Sequence, residues 1–92
     1  DLNLVNQADI FDVQIVQFLA RSNIDTCDME LRFSKNNENY SIYLDNSRIV
    51  KSPGFEILLF GVDDLYFESY DNRCFINYRY LEKMRRISVE ID

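Results

Sequence analysis

The sequence predicts an all-β or mostly β fold: an antiparallel meander of six to seven strands that forms a sandwich or half-open barrel, with room for one short helix. Polar and apolar residues alternate along several short segments, which is the pattern of strands with one exposed face. Runs rich in Asn and Asp separate these segments, and both residue types accept the left-handed backbone angles of tight turns. The 92 residues suit a single domain spanning residues 1–92.

A hairpin is predicted in the first half of the chain. Residues 27–34 alternate without a break and favour one strand. Residues 35–39 are polar and form the turn, and residues 40–45 resume the alternation as the second strand. The apolar side of the first strand carries Cys27, Met29, Leu31 and Phe33.

The middle of the chain predicts three more strands. Residues 55–62 are apolar in both phases, which indicates a central strand covered on both sides, and Gly61 within it indicates a bulge or a close backbone approach. Residues 65–70 and 74–80 follow as alternating strands. The apolar pair at residues 49–50 lies between two turns and makes at most a short element.

The two ends of the chain are ambiguous. Residues 10–20 are rich in β-branched side chains and favour a strand. A helix is the alternative, because a stripe of apolar residues at helical spacing runs through the same segment. This stripe consists of Val5, Ala8, Phe11, Ile15 and Phe18. Residues 81–86 predict a helical turn, and residues 87–91 a last strand.

The two cysteines are predicted to be reduced thiols in the core. Cys27 and Cys74 each lie on the apolar phase of a strand, where a free thiol behaves as a small hydrophobe. Two cysteines in 92 residues do not make a disulfide-dense framework, so we expect a cytoplasmic location. The longest apolar run, residues 57–60, is far too short to span a membrane.

The composition argues against several functions. A net charge of −6 disfavours general binding to nucleic acid or to anionic membranes. The chain contains no histidine, so it lacks the commonest general base and metal ligand. It also lacks the glycine-rich patterns that bind phosphates. We therefore expect no enzymatic activity, no cofactor and no metal.

The densest acidic group lies in the second half of the chain and is the candidate binding site. Its carboxylates suit steering of a basic protein partner, although solvated charges that serve solubility are the alternative. Asp25, Asp28 and Glu30 would extend the acidic surface if the two segments lie side by side. Tyrosines on the same strand would supply buried anchors. The predicted partner-binding residues are Asp63, Asp64, Tyr66, Glu68, Tyr70 and Asp71.

The tyrosines and the basic residues allow two further predictions. Tyr43, Tyr66 and Tyr70 fall opposite the main apolar phase of their strands, so they form either an outer interaction face or a second packed layer. The one basic cluster contains Lys83, Arg85 and Arg86, with Arg79 nearby. It is small and flanked by acids, so we expect it to pair with the chain's own carboxylates.

Two short motifs carry a resemblance to known proteins. Residues 11–15 read Phe-Asp-Val-Gln-Ile, and residues 60–68 read Phe-Gly-Val-Asp-Asp-Leu-Tyr-Phe-Glu. Together with the strands between them, they resemble small β-rich bacterial families, several of which are immunity proteins of polymorphic toxin systems. Those families often have a histidine in the first motif, whereas here Phe11 is followed directly by Asp12. The resemblance implies a protein that binds and blocks a toxin, with no catalytic residue.

These observations predict a small acidic inhibitor that acts by stoichiometric protein binding. An immunity protein that neutralises a toxin, such as a basic nuclease, is the first expectation. A phage-encoded inhibitor that mimics the charge of nucleic acid is a related alternative. The other alternative is a structural or assembly domain that homo-oligomerises through an edge strand or a tyrosine-bearing face. In each case the expected partner is a protein rather than a nucleic acid or a membrane.

Overall fold

The computed structural model describes residues 6–91, which form one helix and eight strands. The mostly β prediction is confirmed, with eight strands in place of six to seven. The elements in chain order are α1 (Gln7–Leu19), β1 (Asn23–Cys27), β2 (Leu31–Lys35), β3 (Glu38–Asp45), β4 (Arg48–Ser52), β5 (Glu56–Phe60), β6 (Val62–Tyr70), β7 (Arg73–Tyr80) and β8 (Lys83–Glu90).

The strands form two antiparallel sheets that share one core. The larger sheet has the order β1-β2-β3-β4-β5 and the smaller sheet the order β6-β7-β8. Gly61, with a φ of 76°, is the single residue between β5 and β6, where the chain passes from one sheet to the other. Its positive φ explains why glycine is needed there. The helix contacts β5 and β8, while β6 contacts β1, β3 and β4.

Two-residue turns connect four of the hairpins. Both residues of each turn have positive φ, which matches the right-handed twist of the strands that they join. The predicted role of Asn and Asp in left-handed turns is confirmed at three of these four turns. The turn residues are Asn36-Asn37, Asn46-Ser47, Asp71-Asn72 and Leu81-Glu82.

Two strand predictions were wrong. Residues 27–34 are not one strand, because the chain bends at residues 28–30 between β1 and β2, and Met29 is 97% exposed. The alternation continues through this bend by coincidence. Residues 55–62 are not a central strand either, since β5 is the edge of its sheet and Phe60 is 63% exposed.

The N-terminal segment is a helix, so the favoured prediction of a strand over residues 10–20 was wrong. Asn6 caps the helix, and its Oδ1 accepts a 2.7 Å hydrogen bond from the amide of Ala8. The buried face of the helix repeats every three or four residues, and packing of this face outweighs the strand preference of its β-branched residues. It consists of Ala8, Phe11, Ile15 and Leu19. Val5, from the predicted stripe, lies outside the described residues.

The C-terminal strand is longer than predicted. Residues 81–86 do not form a helical turn, because residues 81–82 make a tight turn and β8 begins at Lys83. Along β8, Ile87 and Val89 pack against the core as the alternation predicts.

The cysteines form a disulfide, so the prediction of reduced thiols was wrong. Cys27 lies at the end of β1 and Cys74 on β7, with 5.9 Å between their Cα atoms. Both side chains are buried, as predicted. The bond joins the larger sheet to the smaller one. The sequence could not reveal it, because 47 positions separate the two residues along the chain.

A buried polar network fixes the helix to the smaller sheet. The Tyr78 hydroxyl is fully buried, donates to the Asp12 carboxylate and accepts a 3.1 Å hydrogen bond from Nε of Arg85. Arg85 also forms ion pairs with Asp9 and Asp12. Burial and the hydrogen bond to Asp12 raise the pKa of Tyr78 well above its usual value. Among residues 6–91, no helix is long and apolar enough to cross a membrane.

Candidate protein-binding surface

The smaller sheet has one face against the core and one face directed away from it, which we call the outer face. Strand alternation and register define the outer face. On β6 it carries Asp64, Tyr66, Glu68 and Tyr70; on β7 Arg73, Phe75, Asn77 and Arg79; on β8 Met84, Arg86, Ser88 and Glu90. Four of the six residues predicted from the sequence therefore lie side by side on β6.

Tyr66 and Tyr70 remain open to solvent. Their side chains are 45% and 49% exposed, and Met84 on the same face is 52% exposed. Of the two alternatives left open for Tyr43, Tyr66 and Tyr70, an outer face or a second packed layer, the structure has the outer position, since all three are exposed. Tyr43 lies on β3 in the other sheet, so it does not join this face.

An aromatic–arginine stack formed by Tyr70, Phe75 and Arg86 occupies one end of the outer face. The rings of Tyr70 and Phe75 are stacked, with centroids 4.4 Å apart. The Arg86 guanidinium lies 4.2 Å from the Phe75 centroid and donates a hydrogen bond to the Tyr70 hydroxyl. These contacts restrict side chains that would otherwise be flexible, so any further contact made by this stack would cost little additional side-chain entropy.

The predicted carboxylates lie next to arginines and do not form a purely negative patch. The Asp63 carboxylate is 3.7 Å from Nε of Arg79, and the Glu68 carboxylate is 3.8 Å from Arg86. No ion pair of Asp64 or Asp71 occurs within the described part of the chain. The pairs are half-exposed, so each contributes little to stability.

Asn77 supports the centre of the outer face. It is only 4% exposed and is the one buried polar residue among residues 6–91. Its amide nitrogen donates a 3.1 Å hydrogen bond to Glu68 and a longer one, 3.5 Å, to the carbonyl of Tyr66. Asn77 thereby holds the Glu68 side chain between the two exposed tyrosines.

Of the acids predicted to extend the acidic surface, Asp28 and Glu30 follow a strand that contacts β6. Strand β1 contacts β6, and Sγ of Cys27 lies 3.3 Å from the carbonyl oxygen of Glu68. The bend that holds Asp28 and Glu30 directly follows Cys27, so these acids lie near the Glu68 end of β6. Glu30 forms an ion pair with Arg32 at 2.9 Å, which reduces its contribution to the negative potential.

The predicted basic cluster is divided between the two faces of the sheet. Arg79 and Arg86 lie on the outer face, while Arg85 faces the helix and pairs with Asp9 and Asp12. The expectation that these arginines pair with the chain's own acids is confirmed. Sequence reasoning did not assign Phe75, Asn77, Met84 and Arg86 to the site. Alternation along β7 indicates that Phe75 points outward, but only the register places it beside Tyr70.

Metal-ligating clusters and grooves are the other features of the structure that bear on chemistry. Within residues 6–91, no group of three or more acidic or cysteine side chains could hold a metal ion. A groove of about 210 Å³ lies between α1 and β5, with Phe18 and Leu58 in its lining. Its charged residues, Lys51 and Glu56, pair with each other at 3.1 Å.

Comparison of the chain with known protein families, with curated proteins and with solved structures finds no match.

Proposed function

We propose that the chain is a small inhibitor that neutralises a protein partner by stoichiometric binding through its outer face, in the manner of an immunity protein acting on a toxin. The observation that carries the proposal is the arrangement on β6, where Tyr66 and Tyr70 stay exposed with Glu68 between them. Tyrosine, arginine and methionine are enriched in the centres of protein interfaces, and the outer face exposes all three.

The two types of residue have separate roles in this proposal. Tyr66 and Tyr70 are the anchors, because covering a half-exposed ring removes apolar area from water while the hydroxyl finds a new partner. Asp63, Asp64 and Asp71 lie towards the two ends of β6 and form a charged rim. A rim of this kind steers an oppositely charged protein and raises its association rate. The proposed partner is therefore a basic protein, with a nuclease toxin as one candidate.

Two observations favour this proposal over its alternatives. Mimicry of nucleic-acid charge needs an uninterrupted row of anions, whereas Arg73, Arg79 and Arg86 lie among the carboxylates of the outer face. Assembly through the edges formed by β1 and β6 is opposed by bulges within β1 and near the start of β6, because bulged edges pair poorly with another chain.

The compartment is part of the proposal. The expected cytoplasmic location depended on reduced thiols, and the Cys27–Cys74 bond removes that argument. Disulfides persist in oxidising compartments and are rare in the cytoplasm. We propose that the chain meets its partner in an oxidising compartment.

The proposal is tested by finding the partner and then titrating its activity. The immobilised chain is used to capture proteins from lysate of the source organism, and the bound protein is identified. We expect its activity to fall linearly as the chain is added and to vanish at one equivalent. A captured protein that keeps its full activity at several equivalents would contradict inhibition.

A further inference from the structure

We infer that the outer face also binds a second copy of this chain, as a weak symmetric dimer that competes with a partner for the same face. This inference goes beyond the proposed function and does not depend on the identity of any partner. It rests on the charge balance of the outer face and on the register of its three strands.

Charge restricts where two copies can meet. The chain carries a net charge of −6, so two copies repel each other over most of their surfaces. The outer face is different, since its positions hold three arginines and three carboxylates. When Asp63, which lies beside Arg79, is included, the net charge of the outer face is −1. Nearly all of the chain's negative charge therefore lies elsewhere. This face also exposes Tyr66, Tyr70 and Met84. A second copy can thus bury apolar area here with little repulsion.

The register makes the outer face complementary to itself. A twofold axis parallel to the strands places β7 on β7 and β6 on β8 of the second copy. Tyr66 aligns with Arg86 across the sheet, so each Tyr66 ring then faces Arg86 of the second copy. Likewise, the Tyr70 hydroxyl faces the Glu90 carboxylate. These are a cation–π contact and a charge-assisted hydrogen bond.

Like charges meet only near the axis. Each Arg79 faces its own equivalent there, but it keeps Asp63 as an ion-pair partner on its own chain. Arg73 also faces its equivalent and has Glu90 beside it in the register. The axis itself passes near Phe75 and Asn77, which carry no charge.

The footprint sets the strength of association. Three strands spaced about 4.8 Å apart, over eight residues that rise about 3.3 Å each, cover a projected area of roughly 380 Å² per copy. This is well below the roughly 800 Å² per partner of a standard stable interface. We therefore expect a dissociation constant of roughly 0.1–1 mM. A partner with a larger footprint would displace the second copy.

Sedimentation equilibrium of the purified chain tests the inference. Between about 10 µM and about 1 mM, the mean mass of the wild type is expected to rise from the monomer mass of 11.0 kDa towards twice that value. Arg86→Glu is expected to stay monomeric throughout, because it replaces the cation opposite Tyr66. Arg32→Glu is the matched control, since it makes the same change in net charge on the other sheet at an exposed side chain. It is expected to associate like the wild type.

Two results would overturn the inference. One is a wild type that stays monomeric up to about 1 mM. The other is equal weakening by Arg86→Glu and Arg32→Glu, which would indicate a nonspecific effect of charge. Tyr66→Ala serves as a second variant if Arg86→Glu fails to fold, and it is expected to weaken the dimer at least tenfold. A monomeric wild type would leave the proposed inhibition standing, because that proposal is tested by titrating the partner's activity.

Discussion

The Tyr78 hydroxyl is a buried polar group that, together with Arg85, links the helix to the smaller sheet. Tyr78→Phe leaves Asp12 and Arg85 without their buried hydrogen-bond partner. We expect the free energy of unfolding to fall by about 1–3 kcal/mol and the Tm to fall by roughly 5 °C or more, measured by circular dichroism. Tyr43→Phe is the control, because the Tyr43 side chain is 36% exposed. Equal melting temperatures for the two variants would show that the network does not stabilise the fold.

The same hydroxyl predicts a dependence of stability on alkaline pH. The pKa of Tyr78 is raised in the folded chain above its usual value of 10.0, so the hydroxyl's contribution to the free energy of unfolding is complete below that pH. As pH rises above 10, the unfolded tyrosine loses its proton first and the contribution declines. The difference in the free energy of unfolding between the wild type and Tyr78→Phe, measured by urea unfolding, should therefore be smaller at about pH 11 than at about pH 8. A difference that stays constant or grows with pH would contradict a raised pKa of Tyr78 in the folded chain.

The Leu81-Glu82 turn uses residues that suit its backbone poorly. Their φ angles are 51° and 67°, a region that asparagine and glycine accept more readily than leucine and glutamate. We expect the double substitution Leu81→Asn with Glu82→Gly to raise the free energy of unfolding by roughly 1–2 kcal/mol. Asn37→Gly, in a turn that already has suitable residues, should have a smaller effect. Urea unfolding measures both, and no gain in the double variant would contradict the interpretation.

At the scale of the elements, the helix gives the sharpest test of the fold. Residues 11 and 13 would share a face in a strand but lie on different faces of a helix. Phe11 is 2% exposed and packs edge-to-face on Tyr78, whereas Val13 is 56% exposed. Phe11→Ala is expected to lower the free energy of unfolding by about 3–5 kcal/mol, and Val13→Ala by under about 0.5 kcal/mol, both measured by urea unfolding. Similar losses would favour the strand that the sequence suggests.

The elements also show where pattern reasoning succeeds and fails. Strands 65–70 and 74–80 were predicted well, because their alternation is bounded by a true Asp71-Asn72 turn. The bend at residues 28–30 was missed, since Met29 continues an apolar phase although nothing covers it. In α1, β-branched residues outweighed the helical stripe in the prediction, and contacts such as that of Phe11 with Tyr78 in the folded chain decide for the helix. Local sequence cannot show which surface a side chain will meet.

At the scale of the whole molecule, the disulfide ties the two sheets together. It closes a loop across a separation of 47 residues, which corresponds to a stabilisation of about 4 kcal/mol in the chain-entropy model. We expect the double variant Cys27→Ala with Cys74→Ala to melt well below the wild type in the absence of reductant. Two thiols that titrate in unfolded, unreduced wild type would contradict the bond.

The candidate site was half predictable from the sequence. Acid density and outward alternation identified Asp64, Tyr66, Glu68 and Tyr70, because all four lie on one strand. Arg86 could not be assigned to the site, since its contact with Phe75 depends on the register between β7 and β8. That register is a property of the folded sheet.

The central claim is that the outer face binds a protein partner, and binding kinetics test it most directly. Surface plasmon resonance would measure how the captured partner binds the wild type and the variants Tyr66→Ala and Asp64→Asn. Phe60→Ala is the control, because the Phe60 side chain is 63% exposed but lies on the other sheet. We expect Tyr66→Ala to increase the dissociation rate and to weaken the binding free energy by roughly 2 kcal/mol or more. Asp64→Asn is expected to slow association and to weaken the dependence of the association rate on salt. Phe60→Ala should match the wild type. Unchanged kinetics in both outer-face variants would contradict the claim.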